Sequence, residues 1–239
     1  MKAVIVAAGK SSRMGKAEGK KPKCLLEVGG RSILQRALET LAAAGVKPAV
    51  VVVGYEKEQV AAVLTGERAI PCCLQLNPFY DISNNMASLW FARPHVAAES
   101  FLYLHGDLLF HRGILERLLR ESDGSALSVA SGVFDAEAMK VELDPDGYLA
   151  ASSKAILSGK CAGEWIGLAR FAAADCSALF DSIEELLLQG RYQDYDTAAF
   201  SCLARRGTKI TIVGTDGLPY VEVDTPEDLA RARELFPAD

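Results

Sequence analysis

The sequence predicts one α/β domain in which a mixed, mostly parallel, Rossmann-like sheet is flanked by helices and carries an antiparallel insertion. Through the first half, strands of buried type alternate with helices, as a parallel sheet requires when crossover helices cover its faces. The second half contains short strands separated by turn residues, which is typical of antiparallel pairing. No repeat, linker or low-complexity tract divides the 239 residues. We therefore expect a single domain made of two halves, residues 1–110 and 111–239.

The first half alternates between Val/Ile-rich runs and helical periodicity. Residues 2–8 form an apolar run expected to be a strand buried on both faces. Residues 32–44 place apolar side chains on one helical face, and Gly45 stands where a helix end favours glycine. Further strands are expected at 49–53, 70–76 and 101–104, and further helices at 56–64 and after an Asn cap at 84 or 85.

The second half is predicted to be mainly antiparallel. Strands are expected at 126–133, 139–143, 148–153 and 165–171. Pro145 and Gly147 indicate a tight turn between two of them, since Pro presets φ and Gly tolerates a positive φ. Helices at 172–189 and 194–205, strands at 209–213 and 220–223, and a helix from Thr225 with Pro226 in its first turn complete the order.

Composition excludes several classes of function. The net charge of −5 argues against nucleic-acid and anionic-membrane partners, which need a basic face. No apolar run approaches the roughly 20 residues of a membrane-spanning helix, and the first nine residues lack a signal peptide's basic start, so we expect a cytoplasmic protein. The six cysteines show no C-x-x-C spacing and are expected to be reduced thiols. A homodimer is compatible with the sequence.

A glycine-containing loop follows the first strand. Its small residues let backbone amides approach an anion, and Lys10, Arg13 and Lys16 add positive charge. Five residues separate Gly9 from Gly15, so the P-loop pattern fails, and the Rossmann glycine pattern fails as well. The loop by itself is therefore compatible with phosphate binding or with an ordinary surface turn.

Two segments give the loop a more specific interpretation. V-I-V-A-A-G-x-S-S-R-M-G and K-P-K-C-L-L-E-V-G-G-R-S-I-L, within residues 4–34, resemble the N-terminal signature of the nucleotidyltransferase family of the GT-A-like fold. The resemblance implies that residues 1–110 bind an NTP and residues 111–239 an acceptor. It implies that Arg13 and Lys23 neutralise phosphate charge around the reacting phosphorus, although Lys23 could instead be a solvated surface charge. The implied nucleotide-binding residues of the loop are Ala7, Ala8, Gly9, Lys10 and Ser11.

Two aspartates are the candidate metal ligands. NTP chemistry needs a hard cation, and Mg²⁺ prefers one or two carboxylates together with phosphate oxygens. Asp107 and Asp224 each follow a predicted strand and resemble the family's metal-binding acids, so Mg²⁺ is the expected cofactor. Asp224 could instead cap the last helix. We expect Glu222 to point away from this site and His105 to be structural.

A third segment bears on the nucleotide. The N-N-x-x-S-L run, with Asn84, Asn85 and Ser88, resembles the choline-phosphate and phosphonate cytidylyltransferase branch of the family. Amide and hydroxyl groups can read a pyrimidine edge, so CTP is favoured. Asn84 could also act only as a helix cap.

The acceptor side is indicated by a few further residues. The resemblance implies that Glu164 contacts the acceptor and that Lys154 holds its phosphate or phosphonate group. Tyr195 and Asp196 add an aromatic ring and an acid, which would suit an ammonium head group such as choline or an aminoalkyl phosphonate, or would simply pack.

Two other functions remain open at this point. A uridylyl- or thymidylyltransferase acting on a sugar-1-phosphate would share the loop, Lys23 and both aspartates. A catalytically silent nucleotide-binding regulator would be expected to lose these charged residues, which this chain keeps. Only fifteen residues follow Asp224, so we expect no repeat-built acyltransferase extension.

Overall fold

A computed structural model describes residues 1–15, 21–66, 69–132, 134 and 136–238. Its strands are β1 (Lys2–Ala7), β2 (Glu27–Val28), β3 (Arg31–Ser32), β4 (Ala49–Val53), β5 (Cys72–Leu76), β6 (Phe101–His105), β7 (Leu108–Phe110), β8 (Ala126–Ala130), β9 (Lys140–Leu143), β10 (Leu149–Ser153), β11 (Gly163–Phe171), β12 (Thr211–Gly214) and β13 (Tyr220–Glu222). Its helices are α1 (Ile33–Ala43), α2 (Lys57–Gly66), α3 (Asn85–Phe91), α4 (Arg93–Val96), α5 (Arg112–Glu121), α6 (Ala173–Leu188), α7 (Asp196–Arg205) and α8 (Pro226–Leu235). Lys16 and Val133, which figure in the expectations above, lie outside the described residues.

The central sheet is mixed and has nine strands, with β1 near its middle. On one side β4 and β5 continue it in parallel, and on the other side β6 lies parallel to β1. Strand β11 runs antiparallel to β6 and leads to the antiparallel strands β9 and β10, while β8 joins β11 to β12. The predicted α/β class, with an antiparallel portion in the second half, is therefore confirmed.

The two sheet faces are covered by different helices because alternate residues of a strand point to opposite faces. Val4 and Val6 of β1 pack in a core with side chains of α3, α6 and α7. Ala3 and Ile5 pack in a second core with α1, α2 and α5. This explains why the β1 sequence is apolar throughout. Within the described residues, no helix combines the length and apolar character needed to cross a membrane.

Local sequence signals explain most helix ends. Ser32 and Gln35 form a capping box at the start of α1, and Gly45 after its end has a φ of 70°. Asn84 caps α3, as expected. Thr225 and Asp228 form a second capping box at α8, so Thr225 rather than Asp224 caps this helix.

Strand β7 and its pairing with β13 were not predicted and bear on the site, whereas β2, β3, α4 and α5 were also not predicted. Helix α5 follows the short strand β7, and β7 pairs antiparallel with β13 in a separate two-stranded sheet. The Val223 amide also donates to the Asp107 carbonyl at 2.9 Å. These contacts bring the chain after β13 beside the chain after β6, although more than a hundred residues separate them in sequence.

Candidate active site

A cavity of about 310 Å³ opens at the C-terminal ends of β1 and β6. This is the edge at which ligands of open α/β sheets collect. Its wall includes the loop after β1, the start of α3, the residues after β6 and β13, and the acceptor-side strands of the second half. Residues from both predicted halves of the chain therefore line one cavity.

Lys23 bridges the two aspartates predicted from sequence. Its Nζ lies 3.0 Å from Asp107 Oδ2 and also contacts Asp224 Oδ1. Arg13 Nη2 contacts the same Asp224 oxygen at 2.9 Å. Burial alone would lower the pKa of Lys23, but the two carboxylates outweigh it and raise the pKa above its ordinary value. Burial likewise favours neutral Asp107, but the charges of Lys23 and His105 hold its pKa below the ordinary value.

The local sequence explains why these groups meet. Pro22 precedes a 3₁₀ turn, Lys23–Leu25, whose Cys24 and Leu25 are buried and so fix the Lys23 backbone. At Gly106, a Cβ would lie 2.7 Å from Ala7 Cβ and 2.8 Å from Val6 O, so only glycine allows the end of β6 to approach β1 this closely. Asp224 is held by its amide, which donates to Asp228 Oδ2 at 3.1 Å.

The glycine loop is only partly at the cavity surface. Ala8, Gly9, Lys10 and Arg13 line the cavity, whereas Ala7 and Ser11 lie behind it. Ser11 is buried, and its hydroxyl donates to the Lys21 carbonyl at 2.7 Å, which ties the loop to the Lys23 segment. Ser11 therefore has a structural role, and its contact with a nucleotide stays a prediction.

The three residues predicted to read the base all line the cavity and also bond within the protein. Asn84 Oδ1 accepts from the Asn85 amide at 2.8 Å, which is the capping role. Asn85 Oδ1 accepts from the Asp196 amide at 2.9 Å and so joins α3 to α7. Ser88 Oγ accepts from Asn77 Nδ2 at 3.1 Å. These contacts fix the wall on which base recognition is predicted.

His105 lies at the cavity floor between two acids. Its Nε2 is 2.9 Å from Asp196 Oδ2, and its Nδ1 is 2.9 Å from Glu222 Oε1. Burial alone would lower the His105 pKa, but the two carboxylates outweigh it and raise the pKa well above 6.5, which favours the protonated ring. Asp196 also lines the cavity, although its side chain is fully buried, and it accepts from Tyr103 Oη at 2.5 Å.

The expectation that Glu222 points away from the site is wrong. Glu222 lines the same cavity as Asp224. Residues two apart in an extended segment share a face, so strand alternation places these two acids together and not apart. Ligand atoms of Glu222, Asp107 and His105 lie within 4.8 Å of one another, so Glu222 belongs to this cluster. Strand alternation counted from Asp224 would have predicted its position.

The acceptor-side residues form the opposite wall. Lys154 Nζ lies 2.8 Å from Glu137 Oε2 and 5.0 Å from the centre of the Tyr195 ring. The hydrogen bond to Glu137 is the main cause of a raised Lys154 pKa. Glu164 accepts from Tyr220 Oη at 3.2 Å. Lys154, Tyr195 and Glu164 thus line the same cavity, and their contact with an acceptor stays a prediction.

The donor set fits a divalent cation. Asp107 and Asp224 both contact Lys23 Nζ, and the Glu222 carboxylate has an oxygen within 4.8 Å of Asp107; hard oxygen ligands are those that Mg²⁺ prefers. Both ring nitrogens of His105 already contact carboxylates, so we do not assign His105 as a ligand. A glycine loop, paired cations and convergent carboxylates at this sheet edge define a site suited to a phosphorylated ligand.

The family comparison agrees with this geometry. Residues 3–195 match the MobA-like NTP transferase domain, and the chain belongs to that family. The resemblance based on residues 4–34 is therefore confirmed.

Curated relatives extend the comparison. The chain is 30% identical to the CMP-5'-(3-aminopropyl)phosphonate synthase of Streptomyces rubellomurinus, in an alignment covering 99% of this chain and 39% of that protein. It is 29% identical to the bifunctional IPC transferase and DIPP synthase of Thermococcus kodakarensis, covering 98% of this chain and 50% of that protein. The chain thus spans half or less of the length of these two relatives.

Solved structures share the fold over nearly the whole chain. The inositol-1-phosphate CTP transferase of T. maritima superposes with a TM-score of 0.83 at 19% identity, covering 98% of this chain and 94% of that one. The CTP:phosphocholine cytidylyltransferase of Streptococcus pneumoniae gives a TM-score of 0.77 at 18% identity, covering 98% of both chains. At these identities the likeness establishes the fold.

Proposed function

We propose that this protein is a cytidylyltransferase that transfers CMP from CTP to a small phosphorylated or phosphonylated acceptor and releases pyrophosphate. The observation that carries the proposal is the convergence of Lys23, Arg13, Asp107 and Asp224 at a cavity lined by the glycine loop. A curated relative that synthesises a CMP-phosphonate and two structural neighbours that use CTP support the choice of nucleotide.

Mg²⁺ is proposed as the cofactor, held by Asp107 and Asp224 with Glu222 beside them. When bound, it would neutralise phosphate charge and orient the triphosphate. We propose that residues 1–110 bind the nucleotide and that residues 111–239 bind the acceptor. Cytoplasmic location and a homodimer stay predictions.

The chain's own residues would act mainly by positioning and charge neutralisation. An acceptor oxygen attacks the α-phosphorus of CTP, a new P–O bond forms, and the bond to the β-phosphate breaks with pyrophosphate taking the electron pair. Lys23 and Arg13 are proposed to neutralise charge on the reacting phosphates. The acceptor oxygen is already anionic at neutral pH, so no general base is needed. His105 has acids on both ring nitrogens and is not assigned as one.

The acceptor is proposed to carry an amine as well as its phosphonate or phosphate. Lys154 would bind the anionic end, and the Tyr195 ring with the Glu164 carboxylate would face the cationic end. Phosphocholine and aminoalkyl phosphonates both have this pair of charges. The proposal therefore predicts a preference for zwitterionic acceptors.

A second candidate is a thymidylyl- or uridylyltransferase acting on a sugar-1-phosphate. A putative glucose-1-phosphate thymidylyltransferase of Bacillus anthracis shares the fold with a TM-score of 0.81 at 19% identity, covering 98% of this chain and 94% of that one. A silent regulator is disfavoured because the cationic and acidic residues are kept and converge.

The test is pyrophosphate release from CTP, UTP, dTTP and ATP, each combined with 3-aminopropylphosphonate, phosphocholine, inositol-1-phosphate and glucose-1-phosphate. CTP with an amine-bearing acceptor is expected to give the highest kcat/KM, at least tenfold above UTP or dTTP. Equal or better turnover with dTTP and glucose-1-phosphate would replace the cytidylyl assignment. Measurable nucleotide binding without turnover of any pair would favour the regulator.

A further inference from the structure

The carboxylates assigned to the divalent cation are bonded to protein cations. Lys23 Nζ contacts Asp107 Oδ2 at 3.0 Å and also contacts Asp224 Oδ1, and Arg13 Nη2 contacts that Asp224 oxygen at 2.9 Å. The Lys23 side chain is only 15% exposed, so its ammonium has exchanged most of its water for these oxygens. The four side chains together carry no net charge.

This arrangement opposes the entry of a divalent cation by itself. The cation would be repelled by Lys23 and Arg13 at short range, in a partly buried place where solvent screens weakly. It would also compete with the Lys23 ammonium for the same carboxylate oxygens. A triphosphate changes this balance, because its oxygens are strong acceptors for both protein cations.

We propose that Lys23 acts as an exchangeable counter-ion that couples metal binding to nucleotide binding at this site. The triphosphate draws Lys23 and Arg13 from the carboxylates, and the divalent cation takes the oxygens that they leave. By linkage, each ligand then raises the affinity for the other by the same factor. The identity of the two ligands rests on the proposed function; the exchange itself rests on the contacts of Lys23.

The proposal is tested by two binding measurements on Lys23→Met, neither of which needs turnover. Mn²⁺ binding to the protein alone, followed by EPR of free Mn²⁺, is expected to tighten at least tenfold. CTP binding in the presence of EDTA, followed by calorimetry, is expected to weaken at least tenfold. A tighter Mn²⁺ affinity together with a weaker CTP affinity indicates exchange, since damage to the site would weaken the binding of both ligands. Mn²⁺ affinity that is unchanged or weaker in Lys23→Met would overturn the proposal.

Two variants serve as matched controls. Lys21→Met removes the same charge two residues away, where Lys21 pairs with Glu27 at 3.2 Å, and both affinities should stay within about twofold of the wild type. Lys23→Arg keeps a cation between the acids and should keep weak Mn²⁺ binding. If Lys23→Met does not fold, Arg13→Met carries the same test, because Arg13 is 61% exposed and also contacts Asp224. A weaker Mn²⁺ affinity in that variant counts against the exchange.

The outcomes separate this inference from the proposed function. Opposite shifts in a protein that turns over none of the NTP and acceptor pairs would support the exchange and defeat the proposed reaction. Turnover of CTP with an acceptor, together with unshifted Mn²⁺ affinity in Lys23→Met, would support the proposed reaction and defeat the exchange.

Discussion

At the scale of single residues, the cavity floor consists of two adjacent charged groups. Lys23 and Arg13 neutralise Asp107 and Asp224 in the first, and His105 lies between Asp196 and Glu222 in the second. The second group has a net charge of −1 when the ring is protonated. Removing one member of the first group therefore leaves an unbalanced charge, and removing His105 leaves Asp196 and Glu222 without the ring that lies between them.

His105→Asn is expected to lower the free energy of unfolding by about 3 kcal/mol, since it leaves the fully buried Asp196 carboxylate without its cation. The double variant His105→Asn/Asp196→Asn should recover at least half of this loss. Urea unfolding of the single and double variants measures both values. A double variant that is less stable than either single variant would show that the charge balance is not the cause.

Glu222→Gln is expected to reduce turnover at least tenfold with little change in melting temperature. The substitution keeps the shape of the side chain and an acceptor for His105, but removes a negative charge close to Asp107. Glu58→Gln, an exposed position on α2, is the control and should behave as wild type. A Glu222→Gln enzyme with full activity would remove Glu222 from the site.

The sequence predicted the residues of the site better than it predicted the contacts between them. Lys23, Arg13, Asp107 and Asp224 were chosen mainly by resemblance to the family's motifs, and the structure brings them together. The network around His105 was missed, because its partners come from β13 and the start of α7, 117 and 91 residues away. Pairing over such distances depends on the tertiary fold, which local patterns do not report.

At the scale of elements, β11 has a bend that makes room for the charged floor. Gly167 has a φ of 87°, and a Cβ there would lie 2.8 Å from His105 Nδ1. The register of β11 against β8 also shifts between Trp165 and Ala169. Strand β11 therefore pairs within the sheet and, at Gly167, leaves space for the His105 imidazole.

Gly167→Ala is expected to lower the free energy of unfolding by more than about 2 kcal/mol, from a strained φ and a collision with His105. Gly147→Ala is the matched control, since its φ is 88° but no atom lies within 4 Å of the added Cβ. Its loss should be about 1 kcal/mol. Equal losses in the two variants would mean that contact with His105 contributes nothing.

Thr225→Ala should separate the cap of α8 from the neighbouring acid. It removes the side chain that accepts from the Asp228 amide, and is expected to cost about 1 kcal/mol of stability. Asp224→Asn keeps this cap and leaves Lys23 its contact with Asp107, so it should reduce turnover much more than Thr225→Ala does. Melting temperature and pyrophosphate release on both variants test this division; a larger turnover loss in Thr225→Ala would contradict it.

Local patterns predicted most elements but not all their partners. The apolar runs of β1 and β4 and the Asn84 cap were sufficient, because burial and capping are encoded within a few residues. Helix α5 was missed although it has an apolar face, and β7 was missed because three residues carry too little pattern. The pairing of β7 with β13 determines where Asp224 lies, and no local sequence signal predicts that pairing.

At the scale of the whole molecule, the two predicted halves meet at one cavity at the C-terminal edge of the sheet. The α/β class followed from the order of elements, and membership of the MobA-like NTP transferase family agrees with it. We propose this cavity as the place where an NTP, with a divalent cation bound, reacts with the acceptor. Asp107 lines the cavity and contacts Lys23, so the proposed metal site depends on it most.

The most direct test is the turnover of Asp107→Asn, measured as pyrophosphate release per folded molecule on the preparation used for its melting curve. We predict at least a hundredfold lower kcat with the fold retained, since removing a charge-stabilising group at a reacting phosphorus costs about 3 kcal/mol or more. Asp146→Asn, in an exposed turn, is the control and should match the wild type. A lower melting temperature with unchanged turnover per folded molecule, or no change in either quantity, would contradict the account.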